Sequence, residues 1–413
     1  MRSVELFAGA GGLALGCELA GFKTVRMVEW DRWACDTVRE NAAADYPLVR
    51  HWQVNEGDVR EVDWSTVTEP IDLVAGGPPC QPFSIGGKSR MADDLRDMFP
   101  ATAEVIRQLR PRAFIIENVR GLTRAAFSNY FEYIKLRLEH PELASHEGET
   151  WTDHLHRLQR EHTSATLEEL TYKVVPTVVN AADYGVPQQR WRVFFVGFRS
   201  DVPAEWAFPD PDHSKDALLH SQWVTGDYWD RHRVARKHRP ERTPAMFRRA
   251  ALLAEHEPEL RPWRTVRDAI KGLPEPTLSG GSKHLNHVLQ PGARPYPPGH
   301  TGSPIDLPAK ALKAGDHGVP GGENMLLRPD GSVRYFTVRE AARLQTFPDR
   351  YQFHGAWSET MRQLGNAVPV LLAQKVAGSV AQHLAEAAVR EELARRKSAR
   401  ATKPRSAKRR ATA

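Results

Sequence analysis

Cys80, Glu117, Arg190 and Arg192 are the residues of this chain whose types and settings point to covalent chemistry. Cys80 follows Gly76-Gly77-Pro78-Pro79 and precedes Gln81-Pro82-Phe83-Ser84. Glycines let the backbone turn tightly and prolines stiffen the residues after them, so the thiol is expected on a rigid loop. A thiolate held there can act as a nucleophile. A free cysteine is more commonly a small buried hydrophobe, but filler does not require this flanking pattern. Glu117 opens Glu117-Asn118-Val119 after the apolar run Phe114-Ile115-Ile116. It reads as a carboxylate at a strand tip, either in a site or capping the next turn. Arg190 and Arg192, in Gln188-Gln189-Arg190-Trp191-Arg192, stand at i and i+2, on one face of an extended segment. Paired arginines are more often surface charge. These lead straight into Val193-Phe194-Phe195-Val196 and are expected to be held against the core.

The elements that must position these residues read as an α/β pattern. Ile71-Asp72-Leu73-Val74-Ala75 is a buried strand ending at the Cys80 loop, and the carboxyl ends of strands are where open α/β sheets bind ligands. Val4-Glu5-Leu6-Phe7 forms a first strand, Ala8-Gly9-Ala10-Gly11-Gly12 a turn, and residues 13–20 a helix closed by Gly21. A second strand, 24–28, runs into Glu29-Trp30-Asp31. Strand, glycine turn, helix, strand and acid make the layout of a βαβ nucleotide site. Glycines admit the ligand to backbone N–H groups, Glu29 takes ribose hydroxyls, and Trp30 offers a stacking face. Asp58, in Gly57-Asp58-Val59, could bond an adenine amine, but alone it reads as an ordinary turn aspartate.

Further along, Gly86-Gly87-Lys88-Ser89-Arg90 suits a mobile lid, and 96–109 an amphipathic helix. Residues 130–170 read as helical and charged. Strands are expected at 172–179 and 192–197. From 200 to 331 periodicity is poor, while prolines, Trp206, Trp223, Trp229, Trp263 and clusters such as Arg231-His232-Arg233 are frequent. That mixture fits a surface that grips phosphates and stacks at bases, and equally a solvated loop-rich insertion. Thr337 is an N-cap candidate, and 370–397 a helix.

The chain has 413 residues, room for two domains, and 41% of them are hydrophobic. Three cysteines without a CxxC pair argue against a disulfide framework or a zinc site, and no metal is expected. The net charge of +6 comes from the tail, where 390–413 hold ten Lys/Arg against two Glu. That weakens any argument from charge to a polyanionic partner. Glu5 and Glu18 interrupt the early apolar run, so it does not read as a signal peptide. No stretch approaches the ~20 apolar residues of a membrane span. A cytoplasmic protein, nucleoid-associated if it binds DNA, is expected.

Laid out in order, these segments resemble the DNA (cytosine-5) methyltransferases, over about residues 4–199 and 332–385. Phe7-Ala8-Gly9-Ala10-Gly11-Gly12 is similar to the family's cofactor loop, and Glu29-Trp30 and Asp58 to its ribose and adenine contacts. Pro79-Cys80-Gln81 resembles the nucleophile motif, Glu117-Asn118-Val119 the glutamate motif and 188–192 the arginine motif. Arg339 to Tyr351 resembles the segment packed on the recognition domain, and Gly365-Asn366-Ala367-Val368 the closing motif. One departure is Ala311, where the family often has threonine.

The resemblance implies a class I S-adenosylmethionine-dependent methyltransferase fold, Rossmann-like and mostly parallel, with a smaller irregular target recognition domain. The domain ranges it implies are 1–199 catalytic and cofactor-binding, 200–331 target recognition and 332–390 returning to the catalytic domain; composition makes 391–413 a basic tail expected to be disordered. It implies S-adenosyl-L-methionine held by Phe7, Gly9, Gly11, Gly12, Glu29, Trp30, Asp58, Val59, Pro78, Asn366 and Ala367. Double-stranded DNA would be contacted by Gln81, Ser84, Lys88, Arg90 and Arg96. The expected reaction adds Cys80 to C6 of a flipped cytosine, with a protonated Glu117 at N3 and Arg192, with Arg190, at the carbonyl edge and 5′ phosphate. A monomer is expected, with a cognate restriction endonuclease, if one exists, acting separately. A tRNA-directed relative carries a Cys-Phe-Thr segment in its recognition region, and this chain has no cysteine after Cys80. Intact motifs argue against a non-catalytic relative, and a dehydrogenase would leave the Cys80 loop unexplained.

Overall fold

The structure is a computed structural model that describes residues 1–79, 97–164, 170–280, 283–295, 301–314 and 322–401. Each of the strands β1 (Arg2–Leu6), β2 (Lys23–Glu29), β3 (Val54–Glu56), β4 (Leu73–Gly76), β5 (Ala113–Val119) and β6 (Tyr172–Asn180) carries at least one β-branched valine or isoleucine, a type that suits the pleated sheet. A short β7 (Gln188–Gln189) and then β8 (Trp191–Arg199) come next. Seven of them form one sheet in the order β3-β2-β1-β4-β5-β8-β6. β1 to β5 pair in parallel, and β8 runs antiparallel between β5 and β6. The order reverses between β1 and β4, so the carboxyl ends of these two strands flank the crevice where such sheets bind ligands. The Phe7–Gly12 turn leaves one and the Pro78-Pro79 stem leaves the other.

Helices cover both faces. Val74, Phe114 and Ile116 face the side of α3 (Phe99–Leu109), α4 (Ser128–Glu139) and α5 (Trp151–Ser164). Leu73, Ala75 and Ile115 share a cluster with Leu13 of α1 (Gly12–Leu19) and Leu372, Val376 and Val380 from near the chain's end. α2 (Arg32–Ala43) begins at Asp31, whose side chain accepts from Ala34 N–H. Within β1, Glu5 is 1% exposed and neither carboxylate oxygen has a hydrogen-bond partner among the described residues. Burial pushes its pKa well up. The folded chain thus keeps a proton that the unfolded chain releases above about pH 4.3. Stability should therefore fall as pH rises from there toward the folded-state value, by at most ~1.4 kcal/mol per pH unit. Glu5→Gln is expected to flatten that slope in urea melts between about pH 5 and about pH 8; parallel slopes for the two proteins would refute it.

Between β8 and the last helices lie short elements: β9 (His213–Ser214), α6 (Lys215–Trp223), α7 (Asp227–Arg231), α8 (Pro244–Glu255), β10 (Arg261–Pro262), α9 (Val266–Ile270), β11 (Ser303–Pro304), β12 (Ala309–Lys310), β13 (Met325–Leu327) and β14 (Val333–Tyr335). Trp229 and Trp263 are buried in a small core with Tyr228 and Leu218, so these two aromatics stabilise the segment and do not face a ligand. The basic residues stay outside: Arg233, Arg236, Lys237 and Arg248 are exposed, and Arg242 lies 3.7 Å over the half-exposed Phe247 ring. β12 pairs with β7, so residues 309–314 already pack on the catalytic frame, ahead of the boundary expected at 331.

The chain ends with α10 (Val338–Leu344), α11 (Trp357–Asn366) and α12 (Val370–Ala401). Thr337 caps α10 in a reciprocal box with Glu340. α12 continues past 390 into the stretch expected to be a disordered tail. Its residues there are good helix formers, Arg396 bonds Glu392, and Glu391 holds Arg112 at 2.6 Å. A Cβ on Gly16 would lie 2.3 Å from that of Ala373, so α1 crosses α12 only because position 16 has no side chain. Among the described residues no helix is long and apolar enough to cross a membrane.

Candidate active site

Glu117 sits inside β5 and not beyond its end. The antiparallel partner β8 extends the pairing through Glu117↔Phe194 and Val119↔Arg192. Glu117 and Arg192 are therefore diagonal neighbours on one face of the sheet. Arg192 Nε lies 2.5 Å from Glu117 Oε1, an ion pair whose angle falls short of a hydrogen bond and leaves Oε1 without a directed donor. Glu117 is 7% exposed. A Cβ on Gly77 would stand 3.2 Å from Glu117 Oε2, so the missing side chain keeps that flank of the carboxyl open. Asn118 Nδ2 donates to Pro78 O at 2.9 Å, tying the stem of the cysteine loop to β5. Sequence reasoning gave Asn118 no role of its own; its place beside Glu117 on a buried strand was the available signal. Cys80 itself lies outside the described residues, as do Gln81, Ser84, Lys88, Arg90, Arg96 and the segment read as a lid.

Arg190 and Arg192 lie close together in the chain, yet their partners differ. Arg190 is 1% exposed, and its Nη1 and Nη2 donate to Leu312 O at 3.1 Å and Gly365 O at 2.6 Å. Burial pulls its pKa down. It ties two distant pieces of chain to its own strand, and its Nε has no hydrogen-bond partner among the described residues. Arg190→Ala is expected to leave two buried carbonyls unpaired and cost about 2–4 kcal/mol in denaturant melts. Arg192→Ala should instead lower kcat about 100-fold with little change in those melts. Equal behaviour of the two variants would refute the division.

The glycine turn is held from behind. Glu29, 7% exposed, accepts from Gly9 N at 2.7 Å, Trp30 N at 2.9 Å and Asp31 N at 2.8 Å. Burial pushes its pKa up, against the pull of those N–H groups. Phe7 takes φ +52°, a left-handed conformation that costs energy for an aromatic residue and that the surrounding packing must enforce. Gly9, at φ +54°, has nothing within 4 Å of where a Cβ would be. Gly11 and Gly12 serve packing instead: a Cβ would meet Trp52 at 2.8 Å and Val368 O at 2.4 Å. Tyr351 Oη donates to Ala10 O, so the returning C-terminal segment supports the turn.

The remaining expected contacts fall at varied depths. Trp30 is 73% exposed. Asp58 accepts from Arg60 N at 2.9 Å and pairs with its guanidinium, which lowers its pKa, as a turn aspartate would. Val59 buries its side chain in the main core, leaving only backbone to face a ligand. Pro78 is buried, Asn366 exposed, and Ala367 buried with its carbonyl accepting from Gln345. Arg339, 0% exposed, donates to Leu285, Pro348 and Tyr351 carbonyls and so joins the C-terminal segment to the 200–331 region.

A mostly parallel sheet with an antiparallel strand beside its edge, carrying a glycine turn and a carboxylate at the switch point, defines an α/β methyltransferase architecture. Two solved structures share it: a putative DNA modification methyltransferase encoded within an E. coli prophage, at TM-score 0.52 and 20% identity over 93% of this chain and 99% of that one, and the S. pombe Dnmt2 methyltransferase, at 0.53 and 17% over 94% and 99%. Residues 1–142 and 150–382 match the family described as C-5 cytosine-specific DNA methylase. The chain belongs to that family and is an enzyme that methylates cytosine C5 in DNA. Similar relatives include the type II methyltransferase M.PspPI of a Psychrobacter species, 31% identical over 92% of this chain and 79% of that protein, and M.Eco47II of Escherichia coli, 31% over 91% and 78%.

Proposed function

We propose that the enzyme acts on a cytosine flipped out of a specific double-stranded DNA sequence, with S-adenosyl-L-methionine as donor and Cys80 as covalent nucleophile. The Glu117–Arg192 pair, beside the Pro78 stem that leads to Cys80, carries this reading. Cytosine C5 is a poor nucleophile until the ring's aromaticity is broken. Thiolate addition from Cys80 at C6 breaks it, and the charge pushed into the ring gathers at N3. Glu117 is to donate its proton there, with Arg192 steadying the carboxyl and the base's carbonyl edge. Once C5 carries the methyl, loss of the C5 proton, return of the N3 proton to Glu117 and elimination of the Cys80 thiolate restore the ring. Arg190 acts only by holding the strand that carries Arg192.

The residues around the glycine turn fit a nucleoside-bearing donor. Trp30 exposes most of its ring, and Gly9 borders open space. Glu29 Oε2 accepts from Gly9 N alone among the described residues, which leaves it a lone pair for a hydroxyl. Phe7, Gly9, Glu29, Trp30 and Asp58 would hold the group, which supplies an electrophilic methyl on a sulfonium. Exposed Arg233, Arg236, Lys237, Arg248 and the Arg242–Phe247 pair support assigning 200–331 to target recognition. The names of the relatives support a modification role beside a separately acting endonuclease, and the enzyme is taken to act as a monomer.

Bisulfite sequencing of DNA from a host expressing the protein tests the assignment. One recurring sequence protected from conversion, and lost with Cys80→Ala, is the expected result. Protection that persists in the variant, or none in either, would overturn it.

A further inference from the structure

Glu139, His140 and His162 meet where the end of α4 touches the end of α5. His140 Nε2 and His162 Nδ1 are 2.9 Å apart, and His162 Nδ1 is 3.9 Å from Glu139 Oε2. One donor atom from each of the three lies within 4.8 Å of the others. Glu139 is 8% exposed, and its Oε2 has no hydrogen-bond partner among the described residues. His140 Nδ1 lacks one as well, so among those residues the ring's polar contact is with His162. Two imidazoles can satisfy each other through one N–H and one lone pair, but that leaves the buried carboxylate oxygen Oε2 without a hydrogen-bond donor, which is unfavourable. A cation shared by all three removes the deficit.

We propose that Glu139, His140 and His162 form a binding site for a divalent transition-metal ion of the zinc class, completed by water. Imidazole and carboxylate donors suit zinc, whereas Mg2+ and Ca2+ favour oxygen ligands alone. Zinc–ligand bonds of ~2.0–2.2 Å in a tetrahedron set donor atoms ~3.3 Å apart. The separations of 2.9 and 3.9 Å from His162 Nδ1 lie on either side of that value, and the three donors all fall within 4.8 Å of one another. The scarcity of cysteine says nothing against it, because no thiolate takes part.

The site is structural. α4 comes after β5 and runs back along the sheet, which puts Glu139 at the edge away from Glu117. There Arg110, just ahead of β5, lies 3.6 Å from Glu142, which also accepts from Leu170 N just ahead of β6. The ion would staple the ends of α4 and α5 and take no part in methyl transfer.

Untagged full-length protein is titrated with ZnCl2 against a chromophoric chelator, and thermal unfolding is followed with zinc or Mg2+. One equivalent of zinc should bind and raise Tm, and Mg2+ should not. His162→Ala, at an exposed position, and His140→Ala should each weaken binding at least about tenfold and abolish the Tm rise. His162→Ala should methylate DNA at the wild-type rate in zinc-free buffer. No zinc-dependent rise in wild type would overturn the proposal. So would unchanged affinity in both variants, which would place the ion elsewhere among the chain's 17 histidines.

Discussion

Replacing Cys80 with alanine is expected to lower kcat about 10^4-fold or more while leaving the affinity for S-adenosylmethionine within about threefold of wild type. The asymmetry arises from the sheet. The glycine turn is braced by Glu29, Trp52, Tyr351 and Val368, and among the described residues no hydrogen bond joins any of these to Gly77, Pro78 or Pro79. That stem is held instead by Asn118. Losing one sulfur should therefore leave the donor site standing. Isothermal titration beside single-turnover methylation measures both quantities, and a parallel collapse of cofactor affinity would show that the two sites are not separate.

Glu117→Gln should reduce kcat about 10^2 to 10^4-fold with a much smaller change in KM for DNA. An amide can still donate a hydrogen bond toward a ring nitrogen, so much of the base's positioning survives. It cannot give up a proton as charge develops. The variant also loses the ion pair with Arg192, which should make it respond less to Arg192→Ala than wild type does. Additive effects of the two substitutions, or a loss below about tenfold from Glu117→Gln, would mean that the pair does not work as a unit.

The frame of the site was readable because strand, glycine turn and acid recur with local spacing that backbone chemistry dictates. Gly9 and Glu29 are joined by a hydrogen bond across the 20 residues that separate them. Glu117 was identified, but its strand was ended too early, since the antiparallel partner that prolongs it lies more than 70 positions downstream. The same distance hid the difference between the two arginines. Their partners are Leu312 and Gly365 in one case and Glu117 in the other, and no local pattern announces a contact over 122 or 175 positions. The packing role of Gly11 and Gly12 was hidden for a related reason, because the atoms they make room for come from Trp52 and the closing motif. In the 200–331 region, aromatics among basic residues suggested a surface, yet Trp229 and Trp263 form its small core. The helices there were missed although one had a legible start, Thr243-Pro244, with Thr243 accepting from Met246 N.

Duplex DNA carrying 5-fluorocytosine at the methylated position tests the covalent account most directly, because fluorine cannot leave as the C5 proton does and the ring stays bonded to its nucleophile. With S-adenosylmethionine present, wild-type enzyme should form a denaturant-resistant complex joined through Cys80, and Cys80→Ala should form none. Continued methyl transfer by wild type with no trapped complex, or trapping through a different residue, would contradict it.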